Sequence, residues 1–195
     1  MKKNLNILFC LSIFSLFLYG EEINGYSLPI APNISKNNST LLGIDTNNNS
    51  VRDDLERKII QMFKGDKIYI KSTFQMMKAY TLILNFYKEE KNTNHALLEA
   101  SLAEISAEQC ALSIRQMRYK PKNGFNRTIR FSKHSILNTP ERKKAYAIYA
   151  KVKPMIVLLL QSKELTANQI EKFSNKKHDL KYLQNQCTFN LMGML

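Results

Sequence analysis

The sequence predicts an all-α fold, an irregular bundle of about five helices, and three observations predict it. Apolar residues recur at three- and four-residue spacing through most of the chain beyond residue 50. No stretch alternates apolar and polar residues as a half-buried strand would, and no evenly spaced set of hairpin turns is present. Helix-ending and helix-starting residues punctuate the pattern, with Gly65 closing one run, Asp66 opening the next and Thr139-Pro140 opening another.

The first element is an export signal, residues 1–20. Lys2 and Lys3 precede an apolar run from Ile7 to Leu18, and Gly20 supplies a small residue just ahead of Glu21-Glu22. That order is the secretory pattern, and its apolar core is short for a membrane span. A periplasmic or secreted protein with no transmembrane span after cleavage is expected. Residues 21–40 carry Gly25, Pro29, Pro32 and a polar run from Asn33 to Thr40, and predict a flexible leader. A single helical domain, 41–195, follows.

Within it, Val51–Lys64 places Leu55, Ile59 and Met62 on one face. Asp66 opens a second helix through about Glu90, with Ile70, Phe74, Met77, Thr81 and Leu84 at helical spacing. A third, about Asn94–Met117, carries a small-residue stripe (Ala96, Ala100, Ala103, Ala107) beside an apolar face, which makes it central. Thr128–Leu137 fits a short helix or an extended segment equally. Thr139-Pro140 opens a helix through about Gln161, kinked or split at Pro154, and Thr166 opens a last pattern whose apolar face includes Leu180, Leu183, Cys187 and Leu191.

Loss of residues 1–20 removes Cys10 and leaves Cys110 and Cys187, both on predicted apolar helix faces. In an oxidising compartment they can pair, closing 77 positions, a bridge worth about 4–5 kcal/mol in the chain-entropy model. Two separate buried thiols are the competing reading. The formal charge of +13 falls to +11 with Lys2 and Lys3 gone. It favours an anionic surface or an acidic protein as partner, and export makes nucleic acid an unexpected one.

The segment with chemistry in it is Asp45–Glu56. Counting Asp45 as one, oxygen-bearing side chains stand at one, three, five, nine and twelve: Asp45, Asn47, Asn49, Asp53 and Glu56. Val51, at seven, offers its backbone carbonyl. Calcium takes six to eight oxygens, and this spacing wraps a loop around the ion and closes it with a carboxylate from a helix's first turn. The segment resembles the EF-hand-like calcium loops of bacterial dockerins and thrombospondin type 3 repeats. The resemblance covers these twelve residues alone. It implies calcium ligands at Asp45, Asn47, Asn49, Val51, Asp53 and Glu56, and a structural ion. Ser50 stands where the pattern has Gly, and Arg52 where a paired EF-hand has an apolar residue. With no second loop in the chain, a solitary loop–helix site preceding the bundle is the expectation.

Catalytic signatures are absent: there is no Gly-x-Ser-x-Gly, His-Glu-x-x-His or phosphate loop. His95/Glu99 and Glu104/Glu108 are four apart but lack a third ligand. Between Glu108 and Glu141 no acid occurs, while Arg115, Arg118, Arg127 and Arg130 accumulate with lysines and interleaved aromatics. These four arginines are candidates for anion binding. An exported binding or structural protein with one calcium site is therefore the leading expectation, and not an enzyme. A small exported enzyme or inhibitor acting on an anionic substrate or partner through 115–133 is the alternative.

Overall fold

The computed structural model describes residues 20–88, 94–117, 124–155, 186–190 and 194, with backbone only at 94, 116 and 124–127. The export signal and the pattern opened by Thr166 lie outside these residues, apart from Gly20 and the positions around Cys187.

The fold is all-α apart from one hairpin. In chain order the elements are β1 (Glu21–Ile23), β2 (Tyr26–Leu28), α1 (Ile34–Asn38), α2 (Asp53–Phe63), α3 (Lys67–Lys88), α4 (Asn94–Met117), α5 (Gly124–Ile136) and α6 (Pro140–Val152). The expectation of a flexible leader over 21–40 is corrected here. β1 and β2 pair antiparallel with Glu21 opposite Leu28 and Ile23 opposite Tyr26. Asn24 and Gly25 between them both take positive φ, 51° and 78°, the backbone that a two-residue hairpin turn requires. The hairpin is held to α2: Asn24 Nδ2 donates to Ile60 O (3.2 Å), Arg57 Nη1 donates to Pro29 O (2.7 Å), and Arg57 also pairs with Glu21.

α3 is the hub, packing against α2, α4, α5 and α6. Its buried residues, among them Ile70, Met76, Met77, Tyr80, Ile83 and Leu84, lie around more than one face, as an element surrounded by helices needs. α2 is one-sided, burying Leu55, Ile59 and Ile60 while Lys58 and Gln61 face solvent. On α4 the small-residue stripe does what its spacing predicts, with Ala100 and Ala107 buried in the core. Removal of a side chain's bulk at those positions lets backbones approach closely.

The undecided segment after Pro121 is helical as α5, and buries Thr128, Ser132 and Ile136. α6 starts as predicted: Thr139 Oγ1 accepts from Arg142 N (3.2 Å), with Pro140 in the first turn. It ends at Val152, just before Pro154, because proline has no N–H to continue the ladder. Cys187 lies in a bend rather than on a helix face, and it is bonded to Cys110 with the two Cα atoms 4.9 Å apart. Among the described residues no helix is long and apolar enough to cross a membrane.

Candidate metal centre

The loop 45–56 is shaped by its own side chains. Asp45 Oδ1 accepts from Asn49 N (3.1 Å) and Oδ2 from Ser50 N (2.8 Å). Asn47 Oδ1 also accepts from Asn49 N (3.2 Å), and Asn49 Oδ1 accepts from Val51 N (2.8 Å). Short Asx side chains bond nearby backbone N–H groups in this way and curl the chain into turns. The curl requires left-handed backbone at Asn48 (φ 54°) and Ser50 (φ 70°). Ser50 thus holds the conformation for which the calcium-loop pattern uses glycine.

The two ends of the loop are clamped. Asp53 N donates to Ile44 O (2.9 Å), and the Asp53 carboxylate accepts from Thr46 N (3.0 Å) and Thr46 Oγ1 (2.6 Å). Upstream, Gly43 takes φ 78° against the Arg52 and Asn37 side chains, where a Cβ would lie 2.3 Å from Arg52 Cδ. Asn37 Oδ1 accepts from Ile44 N (2.8 Å). Val51 buries its side chain in the core beside Leu55.

Glu56, in the first turn of α2, supplies the carboxylate at position twelve. It is 1 % exposed. It accepts from Asn47 Nδ2 at 3.3 and 3.2 Å, and from Asn49 Nδ2. Burial pushes its proton affinity above the ordinary carboxylate range. The two Asn amides pull it back, and Asp53 and Asp45 push it further up. Among the described residues no Lys, Arg or His is ion-paired with Asp45, Asp53 or Glu56, whereas Asp54 beside them pairs with Arg52 (2.9 Å) and Lys58 (3.7 Å). Among the described residues the three carboxylates are thus partnered by amide N–H groups and the Thr46 hydroxyl, with no cationic side chain bonded to them.

That donor set fits a hard cation. Each carboxylate oxygen has a second lone pair, and the amide oxygen and nitrogen of Asn47 and Asn49 exchange places by a half-turn of the terminal group. Glu56, Asn47 and Asn49 already converge on one point. Asp45 faces the loop backbone, and Asp53 is committed to Thr46. Among the described residues no group of three or more His, Cys, Asp and Glu side chains is placed to hold a metal ion. Any ion here would rely on the amides and carbonyls that such a group lacks.

Arg52, at position eight, has a role that no local pattern reveals. Besides Asp54 it donates to Ile136 O (3.5 Å), Ser135 O (3.4 Å) and Asn138 Oδ1 (3.4 Å), placing a cation at the C-terminal end of α5, where the helix dipole favours one. Where a paired loop would carry an apolar bridge, this chain docks the loop on its own bundle.

Beside the loop lies a cavity of about 450 Å³ that no sequence motif announces. Its walls come from the hairpin (Tyr26), the loop (Asn47, Asn49, Glu56), one stripe of α3 (Lys71, Phe74, Gln75, Lys78) and the C-terminal segment (Thr188, Phe189). Positions 71, 74, 75 and 78 follow helical spacing, the only local signal of a shared face. Of the candidate anion-binding arginines, Arg115 is half-buried on α4 and Arg130 exposed on α5. Arg118 and the Arg127 side chain lie outside the described residues.

Comparisons with protein-family models, with curated proteins and with solved structures return no match. The functional reading therefore rests on the geometry of the loop and its neighbours.

Proposed function

We propose that this is an exported helical binding or structural protein whose loop 45–56 holds a single structural calcium ion. The observation that carries the reading is Glu56: a nearly fully buried carboxylate, crowded by Asp45 and Asp53, with amides and no cationic side chain against it among the described residues. A divalent cation at that point neutralises most of the loop's negative charge and replaces the amide contacts with stronger ion–oxygen ones. Asp45, Asn47, Asn49 and Glu56 are the side-chain ligands in this reading, with the Val51 carbonyl between them. Asp53 adds charge and holds the loop shut through Thr46. Export is supported by the charged, apolar, small-residue order of residues 1–20 and by the Cys110–Cys187 bridge, which suits an oxidising compartment.

The ion's work in this reading is mechanical. It joins the loop to the first turn of α2, and α2 carries the hairpin on one side and packs on α3 on the other. Two of the side-chain ligands are neutral amides, which places the affinity near that of extracellular modules, about 10⁻⁴–10⁻³ M. At about a hundred times the dissociation constant such an ion stabilises the fold by about 2.7 kcal/mol.

Calorimetric titration with calcium, set beside an Asp45→Ala/Glu56→Ala double variant, tests the reading. A single saturable site in the parent that is lost in the variant is expected. Identical heats from the two proteins would remove the calcium assignment.

A further inference from the structure

The cavity beside the loop is built from four separate parts of the chain, and each wall is fixed. The hairpin wall is tied to α2 through Asn24 and Arg57. The far wall is held by the Cys110–Cys187 bridge and by Gln75, which donates to Gln186 O (2.8 Å) and accepts from Thr188 N (3.0 Å). Its volume of about 450 Å³ lies within the range of small-molecule sites, about 300–1,000 Å³.

The chemistry of the lining is uneven. Lys71 and Lys78 stand two helical turns apart on α3, about 10 Å along its axis, with Phe74 between them. Both lysines are exposed, and no described carboxylate is ion-paired with either. Lys71 Nζ lies 5.8 Å from the Phe189 ring centroid. Tyr26 and Phe74 add further ring surface. Among the described residues the one acidic group of the lining, Glu56, is turned onto Asn47 and Asn49.

We infer that this cleft binds a small organic anion, a carboxylate or phosphate carried on a ring or apolar body, with the anion between Lys71 and Lys78 and the body against Phe74, Tyr26 and Phe189. Two exposed ammonium groups, neither ion-paired with a described carboxylate, hold the charge, and the aromatic faces bury the remainder. The loop sets the strength of this attraction. Without calcium, Glu56 in the wall, with Asp45 and Asp53 elsewhere in the same loop, gives this side of the cleft a negative charge that opposes an incoming anion. A bound divalent ion reverses most of that, so calcium and the anion bind with positive coupling, and the coupling is reciprocal. The coupling rests on the calcium reading; the anion site itself does not.

Phenyl phosphate and benzoate, with neutral benzamide as control, are titrated into the full chain in calcium and in chelator, followed by backbone amide NMR and calorimetry. Saturable shifts at Tyr26, Phe74 and Thr188 are expected with one or both anions, the tighter one naming the anion class, and much weaker shifts with benzamide. Calcium raises the affinity at least about fivefold, the low end of ordinary coupling. Lys71→Ala/Lys78→Ala weakens it about tenfold or more, and Lys71→Arg/Lys78→Arg restores most of it. Equal binding of benzamide, no saturable shift with either anion, or an unchanged affinity in the Ala variant overturns the site. If calcium heats are absent while phenyl phosphate or benzoate still saturates the cleft, the calcium reading falls and the anion site stands. If calcium binds and neither anion does, the reverse holds.

Discussion

The Asp53 carboxylate closes the loop on Thr46, taking the Thr46 N–H at 3.0 Å and its hydroxyl at 2.6 Å. This double contact joins the second residue of the loop to the first residue of α2, and it places the Asn47 and Asn49 side chains over Glu56. Neither residue is among the side-chain ligands proposed for the ion, so the contact can be altered without removing one. Thr46→Val keeps the shape and the backbone bond and deletes the hydroxyl contact. A hydrogen bond to a charged acceptor contributes about 1.5–3 kcal/mol, and the buried Asp53 carboxylate keeps its bond to the Thr46 N–H in the variant. Calcium affinity is expected to fall about five- to tenfold by calorimetry, with the stoichiometry unchanged. An affinity equal to the parent's would show that the contact does not organise the loop.

Arg142 performs the corresponding service for the segment that leads into the loop. It is 0 % exposed, and its guanidinium donates to Leu41 O (2.8 Å), Asn37 O (2.7 Å), Thr40 O (2.9 Å), Asn38 Oδ1 (3.1 Å) and Asn138 Oδ1. Burial, with Arg52 nearby, lowers its proton affinity to about 10, so it stays charged at neutral pH. Arg142→Met fills similar volume but strands three carbonyls, each costing about 1–3 kcal/mol when left unpaired and buried. A loss of about 3–5 kcal/mol in urea unfolding is expected, with a thermal midpoint lower by about 10 °C. A loss under about 1 kcal/mol would show that water replaces the guanidinium.

A pH-dependent contribution is expected from Glu108 on α4. Its carboxyl is raised above the usual value of 4.5 by burial and by Glu104, against the opposing pull of Lys153 and Lys133. Glu104 itself is held in place by Lys153 Nζ (2.6 Å) and Tyr149 (2.8 Å). A carboxyl raised in the folded state is penalised when ionised. The penalty is absent below the unfolded value and complete above the folded one, so stability from this group falls as pH rises through that window. Glu108→Gln is expected to raise the melting midpoint at pH 7–8 and to leave it unchanged near pH 4. A midpoint raised equally at both pH values would assign the effect to packing rather than titration.

How much of this was legible follows from where the partners lie. The helices α3 and α4 announce themselves because their buried faces are written in Ile, Leu, Met and Ala. α5 was undecided because its buried face uses Thr128 and Ser132, which carry no apolar period. The hairpin had a signal, Asn24-Gly25 between Ile23 and Tyr26, that Pro29, Pro32 and the polar run after them outweighed. The loop was legible because the described side-chain partners of Asp45, Asn47, Asn49, Asp53 and Glu56 are local, lying within nine positions. The buried arginines were not, since Arg142 bonds backbone carbonyls 101 to 105 positions away, and a carbonyl has no sequence signature. The cavity was hidden for the same reason: Tyr26, Asn49, Lys71 and Thr188 meet only in three dimensions.

The departure at Ser50 gives the sharpest local test. Its φ of 70° is the left-handed region, where an L side chain costs about 1–2 kcal/mol. Its N–H is bonded to Asp45 and its carbonyl accepts from Thr81 Oγ1 (2.9 Å), so the backbone cannot relax without releasing both. Its own side chain is exposed, and the contacts that fix this position are backbone ones which glycine also makes. Ser50→Gly removes the left-handed cost but adds about 0.5–1 kcal/mol of unfolded-state freedom. The two effects leave a net gain of about 0.5–1 kcal/mol. A melting midpoint higher by about 1–4 °C is therefore expected without calcium, together with calcium binding at least as tight as the parent's. A lower midpoint would mean that the serine stabilises the loop through its side chain, and that the glycine of the calcium-loop pattern is not what this position needs.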